Sequence, residues 1–455
     1  MKRYPAGRPW WAVPAFLSMG CAAAGQSAFG ATPSSAAPTT DDAGAAADKD
    51  DGALDGPVLE RSAYVRSVLR RNRSVESARQ AWRAAGARAR QSGILDDPSV
   101  TMNLAPLSIG SSTARFGWDA TVSQRLPWPG KLGLDEAAAR AEADAARSDF
   151  EASRRELALT ASLLFDDYFV AVWSIEINAH HVALMRSMQA AATAQYETGR
   201  GSAQDPLQAE FELTHMEHDT VILASQRDVT VAQMNELLHR APEALLPPPP
   251  RELSVPASSD AGGAARLEAE AVEQRPDVAA ARAHARAERA RADRGSRESF
   301  PDFTVSTSYS SMWDAPEHRW MVGLGVNLPV QAGRRGAMVE EADAMRARYE
   351  AEVARLSDAA RTQVVVAVKR LEEAGHVLVL MDQHLLPVAR DEVDAARAAF
   401  TASQTPFVAV VDAEKNLRGV ELDRQMALAD CDRRRAELDG ALGRVPGLAG
   451  ERVTP

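Results

Sequence analysis

The chain has 455 residues, of which 45% are apolar and 25% are charged, so it is neither a disordered chain nor a polytopic helical membrane protein. Its formal net charge of −11 argues against nucleic acid as the main partner. Its two cysteines, Cys21 and Cys431, are too few for a disulfide framework.

The N-terminal region has the features of an export signal. Basic residues within the first eight positions precede a short apolar stretch and then small residues. We expect residues 1–30 to be a signal sequence, cleaved after Gly30 or near Ala24. The alternative is a degenerate lipobox that ends at Cys21, in which case Cys21 is lipidated. Residues 31–56 are rich in Ala, Ser, Thr, Pro, Asp and Gly and are expected to form a disordered tether.

Beyond the signal, the sequence has no run of about 18 uncharged apolar residues, the usual mark of a membrane-spanning helix. The best candidate, residues 157–177, is interrupted by Asp166, Asp167 and Glu176. No transmembrane helix is therefore predicted, and a chain of this kind would cross a membrane only as a closed β-barrel.

The first half of the chain, residues 57–245, combines helical periodicity with two alternating segments. Val100, Met102 and Leu104 alternate with polar residues, which indicates a half-buried strand. The long stretch after Gly130 has no proline, and its apolar residues follow a heptad pattern that is typical of a coiled coil, with one gap at Asn178. The predicted elements are a helix over 57–92, strands at about 99–107 and 115–127, a helix at about 131–197 and a further helix over about 206–239.

The second half repeats this order after a proline-rich linker at 246–263. The second unit covers 264–445, and residues 446–455 form a C-terminal tail. Its predicted elements are a helix over 276–297, strands at about 302–311 and 319–329, a long helix at about 334–401 and a final helix to about residue 442. Landmarks recur about 203 residues apart in the same order: Val75 with Val278, Pro98 with Pro301, and Gly130 with Gly333.

Four strands of about ten residues each suit a bilayer, but they are too few to close a barrel, which needs at least about eight. Oligomerisation is therefore expected, and three copies would supply twelve strands. Aromatic residues near the strand ends fit an interfacial girdle: Phe116, Trp118, Trp128, Trp313 and Trp320. The alternatives are a water-soluble β-sandwich, a periplasmic adaptor with a helical hairpin, and a structural coiled-coil scaffold.

Two motifs carry a family resemblance. Residues 124–132, which read QRLPWPGKL, resemble a strand exit that ends in Pro and Gly-Lys before a long helix. Residues 196–209 carry Tyr196, Gly199, Ser202 and Asp205 in the spacing of a helix-hairpin tip. With Leu385-Leu386-Pro387 and Phe400, residues 60–445 resemble the TolC family of outer-membrane efflux proteins, the outer membrane factors, and most of all its heavy-metal branch.

The resemblance implies a mainly α-helical fold with a β-barrel part: a homotrimer with a twelve-stranded barrel in outer-membrane lipid and a helical barrel in the periplasm of a Gram-negative bacterium. It further implies a passive exit duct that works with a periplasmic adaptor and an inner-membrane pump, for cobalt–zinc–cadmium or copper–silver cations. The alternative cargo is drugs or other small molecules. No enzymatic activity and no cofactor are expected.

The resemblance also points to residues that dock the adaptor. These are the residues of the two tip turns: Gly199, Ser202, Asp205, Ser403 and Pro406. The second tip differs from the first, because Ser403 stands in place of Gly199 and Ala409 in place of Asp205. The alternative interpretation is that these residues end one helix and cap the next.

Acidic residues near the tips are candidates for a cation-selective gate, because threefold symmetry would triple each charge. Asp205, Asp412 and Glu414 are the candidates, and the alternative is an ordinary solvated helix face. Glu212, His215 and His218 have the spacing to converge on one helix face, but a helix that crosses water offers no enclosing pocket, so no metal site is predicted.

Overall fold

The structure is a computed structural model that describes residues 54, 56–105, 117–253, 263–313, 315–402 and 404–448. The predicted signal sequence, Cys21, most of the tether, Phe116, Ser403 and the tail after residue 448 lie outside the described residues.

The described chain is mainly helical and contains one small antiparallel sheet, as the predicted fold class requires. The elements of the first half are α1 (Arg61–Arg71), α2 (Arg73–Ser92), β1 (Ser99–Ala105), β2 (Gly117–Leu126), α3 (Lys131–Glu197) and α4 (Gln204–Leu238). Those of the second half are α5 (Ala264–Gln274), α6 (Pro276–Arg297), β3 (Asp302–Ser310), β4 (Trp320–Asn327), α7 (Ala332–Leu380), α8 (Leu386–Thr401) and α9 (Phe407–Ala441). A short 3-10 turn, Pro316–His318, precedes β4.

The helix predicted over residues 57–92 is divided into α1 and α2 at Asn72, whose backbone is extended (φ −71°, ψ 125°). The Asn72 side chain accepts a hydrogen bond of 2.9 Å from the backbone N–H of Ser74 and so caps α2. The second half is divided in the same way at Arg275, which is held extended by the following Pro276. The repeat therefore extends to the helix breaks, which periodicity does not reveal.

Helix α3 has 67 residues, which at ~1.5 Å per residue corresponds to about 100 Å. It packs against α2, α4, α6 and α9. Its middle carries Phe165 and Phe169, which are fully buried with Tyr64 of α1 and Met234 of α4 in the main apolar core.

Among the described residues, α3 is the one helix long and apolar enough to span a membrane by length and composition, although the sequence predicted none. Half of its apolar window is buried within the protein. The window includes Asp166, whose side chain is buried and paired with Arg61 of α1. Internal packing against α1 and α4 accounts for this apolar stretch.

The second long helix is interrupted, whereas one continuous helix was predicted over 334–401. Helix α7 ends at Leu380, a π-helical turn covers Met381–Leu385, and α8 begins at Leu386. Pro387 follows at once, and a proline ring clashes with the carbonyl four residues before it and lacks an N–H. The wider π turn accommodates the proline ring and the hydrogen bond that its missing N–H cannot form.

The sheet has the order β1-β2-β3-β4, with every pair antiparallel. The two halves of the chain meet at β2 and β3, where Val122 pairs with Thr307. Strands β1 and β4 are the edges of the sheet. Among the described residues each of them pairs on one side only, β1 with β2 and β4 with β3. The apolar face is open: Met102 is 63% exposed and Val322 is 83% exposed. Within the described residues there is one sheet and no second layer over this face, so they do not form a sandwich.

Candidate functional surfaces

The first turn, between α3 and α4, closes α3 with a Schellman motif. The N–H of Gly199 donates to the carbonyl of Tyr196 (3.0 Å), and the N–H of Arg200 donates to the carbonyl of Gln195 (2.9 Å). Gly199 has φ +72°, a conformation that other residues rarely adopt. The backbone geometry therefore requires a glycine here.

The start of α4 carries reciprocal capping bonds between Ser202 and Asp205. The Ser202 hydroxyl accepts from the N–H of Gln204 (3.2 Å), and the Asp205 carboxylate accepts from the N–H of Ser202 (3.2 Å). Both residues therefore have a structural task in the turn. This agrees with the alternative that residue types at the tip serve helix capping, and it leaves adaptor docking to be tested.

Replacing Gly199 with alanine is expected to lower the free energy of unfolding by about 1 kcal/mol, because an L side chain at φ +72° is strained. Replacing Gly133, which lies in the first turn of α3 with open space around it, is the matched control. That change is expected to be neutral or slightly stabilising. Thermal unfolding of the two variants measures the difference, and equal melting temperatures would contradict the prediction.

The second turn, between α8 and α9, is built differently. The N–H of Gln404 donates to the carbonyl of Ala399 (2.8 Å), and Pro406 is the N-terminal cap residue of α9 in an extended conformation. Pro406 is exposed and Phe407 directly after it is buried, with its ring 5.4 Å from that of Phe400. Because Pro406 is extended, α9 does not continue towards its N-terminal side, and the turn ends at this residue.

One apolar cluster lies beneath both turns. It brings together residues from α3, α4 and the start of α9, and Phe400 of α8 packs against it. The two turns therefore lie at the same end of the helices, as joint docking of one partner requires. The buried members are Val182, Met185, Ala192, Ala209, Met216, Phe407 and Val411.

The three candidate gate residues differ in their environments. Asp412 is exposed on α9, and Asp205 is half-buried in its capping bond. Glu414 is 1% exposed and forms an ion pair with Arg397 of α8. A carboxylate that is buried and paired does not face an aqueous bore, so its burial argues against Glu414 as a gate residue and leaves Asp205 and Asp412 as the candidates.

A buried polar cluster crosses the helices between the turns and the main core. Arg418 of α9 donates to the side chains of Asn178 on α3 (2.8 Å) and Asp219 on α4 (2.9 Å). His181 of α3 lies beside it, with Nε2 3.0 Å from the carboxylate of Glu421. The heptad gap at Asn178 is the only sequence signal of this cluster. The gap shows a polar residue in an apolar heptad pattern, but it does not show that Arg418 and Asp219 lie beside that residue.

The cluster makes stability dependent on pH. The hydrogen bond from His181, helped by the charges of His181 and Arg390, lowers the pKa of Glu421 from its ordinary 4.5 against the opposing effect of burial. A carboxylate with a lowered pKa in the folded state stabilises the protein above its ordinary pKa, and this contribution is lost as the pH falls through the lowered value.

We therefore expect acidification below about pH 4.5 to destabilise the wild type more steeply than the Glu421→Gln variant. Guanidinium unfolding at several pH values measures the two slopes. Parallel slopes would contradict the assignment of this dependence to Glu421.

The helix-face set Glu212, His215 and His218 does not converge. Glu212 is buried and its carboxylate faces Lys415 at 3.6 Å, whereas the two histidine side chains are more than half exposed. No group of three or more potential metal ligands occurs within the part of the chain that the structure describes.

The strand exit of the first half forms a buried ionic junction. Lys131 is 1% exposed, and its ammonium group lies 2.7 Å from Asp302 and 3.1 Å from the carbonyl of Phe300. The other oxygen of Asp302 accepts from Arg125 (2.7 Å), and the backbone N–H of Trp128 also donates to Asp302 (3.0 Å). The start of α3 is thus joined to the start of β3, across the seam between the two halves.

Aromatic residues occupy both ends of the sheet. At the end near the helices, the ring of Trp128 stacks on Phe300 at 5.1 Å. At the opposite end, the ring of Tyr309 lies 5.0 Å from Trp118 and 5.2 Å from Trp320. The apolar strand residues lie between these two groups.

Comparison of the fold with solved structures gives matches over most of the chain. CusC, a protein that forms a transmembrane channel, has a TM-score of 0.75 at 18% identity over 85% of this chain and 92% of its own. The outer-membrane channel OprN has a TM-score of 0.72 at 18% identity over 86% and 91%, respectively. The outer membrane protein VceC of Vibrio cholerae has a TM-score of 0.69 at 16% identity over 84% and 95%.

Residues 267–444 match the family model of the outer membrane efflux proteins. Comparison with curated proteins gives no match. The matched segment contains α6 to α9 with β3 and β4, and the first half repeats this order of elements. The predicted outer-membrane location agrees with the description of this family model and with those of OprN and VceC. Residues 267–444 are thus similar to the outer membrane efflux proteins, and the described part of the chain has the fold of the outer-membrane channels it matches.

Proposed function

We propose that the chain is the exit duct of a tripartite efflux system: a passive homotrimeric channel that receives cargo from an inner-membrane pump through a periplasmic adaptor. The observation that carries the proposal is the sheet, which among the described residues has two unpaired edges and an open apolar face. In water such a sheet would aggregate, whereas in a bilayer it is stable once its edges are closed.

The number of strands supports a trimer. Four strands cannot close a barrel, and three copies supply twelve, which lies within the range of outer-membrane barrels. The aromatic groups around Trp128 and Trp118 at the two ends of the sheet suit the two membrane interfaces.

The helices also present surfaces that a second copy would cover. On α4, exposed apolar side chains are spaced as one stripe: Leu207, Phe211, Ile222 and Val229. An apolar stripe on a helix favours a neighbouring helix, and the described residues of this chain leave the stripe open.

The membrane test is fractionation followed by electrophoresis with and without heating. We expect the protein in the outer membrane, as a species of about three chains that becomes a monomer on heating. A soluble monomer would refute the proposal. Mass spectrometry of the mature N-terminus decides whether Cys21 is lipidated or is removed with the signal sequence.

The docking surface in this proposal is formed by the two turns: Gly199, Ser202 and Asp205 in the first, Ser403 and Pro406 in the second. Their shared position at one end of the helices supports it. Single cysteines placed at 199–205 are expected to cross-link to the adaptor in cells. A cysteine at the exposed Arg140, near the sheet end of α3, is the control that should not. Equal capture at both places would refute docking at the turns.

A cation-selective gate is proposed at Asp205 and Asp412, since Glu414 is buried. Three copies would place three carboxylates at each level of the bore. Single-channel recording of the Asp412→Asn variant is expected to show weaker cation selectivity than the wild type. An unchanged reversal potential would remove Asp412 from the gate.

For the cargo we propose heavy-metal cations, because the Pro-Trp-Pro-Gly-Lys strand exit at residues 127–131 resembles that of the heavy-metal branch. Multidrug efflux is the second candidate. Growth of a deletion strain on cobalt, zinc, cadmium, copper and silver salts and on a panel of drugs separates the two. Restoration by the wild-type gene and not by an empty vector is the control, and sensitivity to drugs alone would overturn the metal proposal.

A further inference from the structure

The contact between β2 and β3 is a seam between two repeats, and it lies inside one chain. At this seam the exit of β2 leads into Lys131, which is paired with Asp302 at the start of β3. The register places Leu126 opposite Phe303 and Ala120 opposite Tyr309. A cyclic oligomer would need the equivalent seam between copies, from β4 of one copy to β1 of the next.

The internal repeat predicts the register of that second seam. Trp118 and Pro127 recur at Trp320 and Pro329, 202 residues later. Trp118 pairs with Leu104 and Trp320 pairs with Tyr309, so within the sheet β3 corresponds to β1 at an offset of 205 residues. Transferring the β2–β3 register by these two offsets pairs three residues of β4 with three residues of β1 of the next copy. The pairs are Val322 with Leu104, Leu324 with Met102, and Val326 with Val100.

The apolar residues of the two edge strands agree with this register. All six of these side chains are exposed in the single chain. Within the chain, Met102 faces Ala120, Ala120 faces Tyr309, and Val305 faces Leu324, so β1 and β4 show their apolar residues on the same face of the sheet. The transferred register joins apolar to apolar across the seam, whereas a shift by one residue would place every pair on opposite faces.

Charge supports the same seam. The equivalent of Lys131 is Arg334, which is exposed and makes no ion pair with the described residues of its own chain. By the same 205-residue offset, the equivalent of Asp302 is Asp97 just before β1, and Asp97 is exposed. The end of β4 and the start of β1 lie at the same end of the antiparallel sheet, so the basic group and the acidic group come together when the ring closes.

We propose that β4 of one copy pairs with β1 of the next in this register, and that Arg334 forms an ion pair with Asp97 of the next copy. The occupant of both open edges is therefore a second copy of this chain. The inference rests on the proposed trimer and adds its register and its ionic contact.

The first test is charge reversal in the full-length protein. Arg334→Asp and Asp97→Arg are each expected to lower the dissociation temperature of the oligomer by roughly 5 °C, because each change affects every seam of the ring. The double variant is expected to recover most of that loss. Two losses that simply add would overturn the ion pair.

The second test is the register, which disulfide formation reports directly. Val326→Cys with Val100→Cys is expected to link copies into dimers and trimers under mild oxidation. Val326→Cys with Thr101→Cys is the control, because Thr101 lies on the other face of the sheet. Linking by the control pair, or by neither pair, would overturn the register. If the unmodified protein is a monomer, the proposed function itself fails; if it is a trimer, only this inference is at stake.

Discussion

Replacing Asp302 with alanine is expected to lower the free energy of unfolding by about 3–5 kcal/mol, because it leaves the buried ammonium group of Lys131 without its main counter-ion. Glu298, at 3.6 Å, is the remaining partner and is farther away. The change also removes the acceptor for Arg125 and for the N–H of Trp128. The exit from β2 into α3 should therefore loosen, and the oligomer should dissociate at lower temperature.

A matched control lies near the same junction. Asp135 accepts two hydrogen bonds of 3.0 Å from Arg294, but its side chain is 36% exposed. Its replacement by alanine should cost no more than about 1 kcal/mol, since solvent screens exposed pairs. Guanidinium unfolding of the detergent-solubilised protein measures both variants.

The double change Lys131→Met with Asp302→Leu tests the cause. Replacing both members of a buried pair by apolar residues is expected to be much less damaging than removing one. If the double variant is as unstable as Asp302→Ala, packing around the carboxylate and not the unpaired charge explains the loss.

The second large effect is expected at Arg418. Its replacement by alanine should lower the free energy of unfolding by about 3 kcal/mol. The change leaves the fully buried side-chain oxygen of Asn178 without its donor and removes a charged hydrogen bond to Asp219. These bonds join α9 to α3 and α4 close to the cluster beneath the turns. Cross-linking of the turns to the adaptor should therefore weaken along with stability.

Arg434 provides the control for Arg418. It is also an arginine of α9, but its partners on the same helix, Asp430 at 3.0 Å and Glu437 at 3.1 Å, are 39% and 31% exposed. Arg434→Ala should change the free energy of unfolding by less than about 1 kcal/mol. Similar losses of unfolding free energy for the two variants would show that any such substitution on α9 lowers stability, and that the buried hydrogen bonds of Arg418 are not the cause.

Much of the fold follows from local patterns. Alternation at Val100, Met102 and Leu104 indicates a strand, and the absence of proline along residues 134–197 permits one long helix, because both properties depend on neighbours within a few residues. The interruption of the second long helix is also local in origin. Pro387 stands at the site of the π turn, and its effect on the preceding carbonyls could have been anticipated.

The sites were less accessible to such reasoning. Glu414 and Asp412 are two residues apart on α9, yet one is buried and paired and the other is exposed. A sequence shows that an acidic residue lies near a turn, but it does not show which side of the helix a neighbouring helix covers. Arg418 is likewise unremarkable in sequence, because its partner Asn178 lies on α3, in the other half of the chain.

The sequence by itself determined the element types and their duplication, because periodicity and recurring landmarks are read along the chain. Only the tertiary structure decided that Lys131 pairs with Asp302, that Arg418 joins three helices, and that the two turns share one apolar cluster. The physical reason is burial. A polar group must find a partner once it leaves water, and packing between distant segments determines which partner lies within reach.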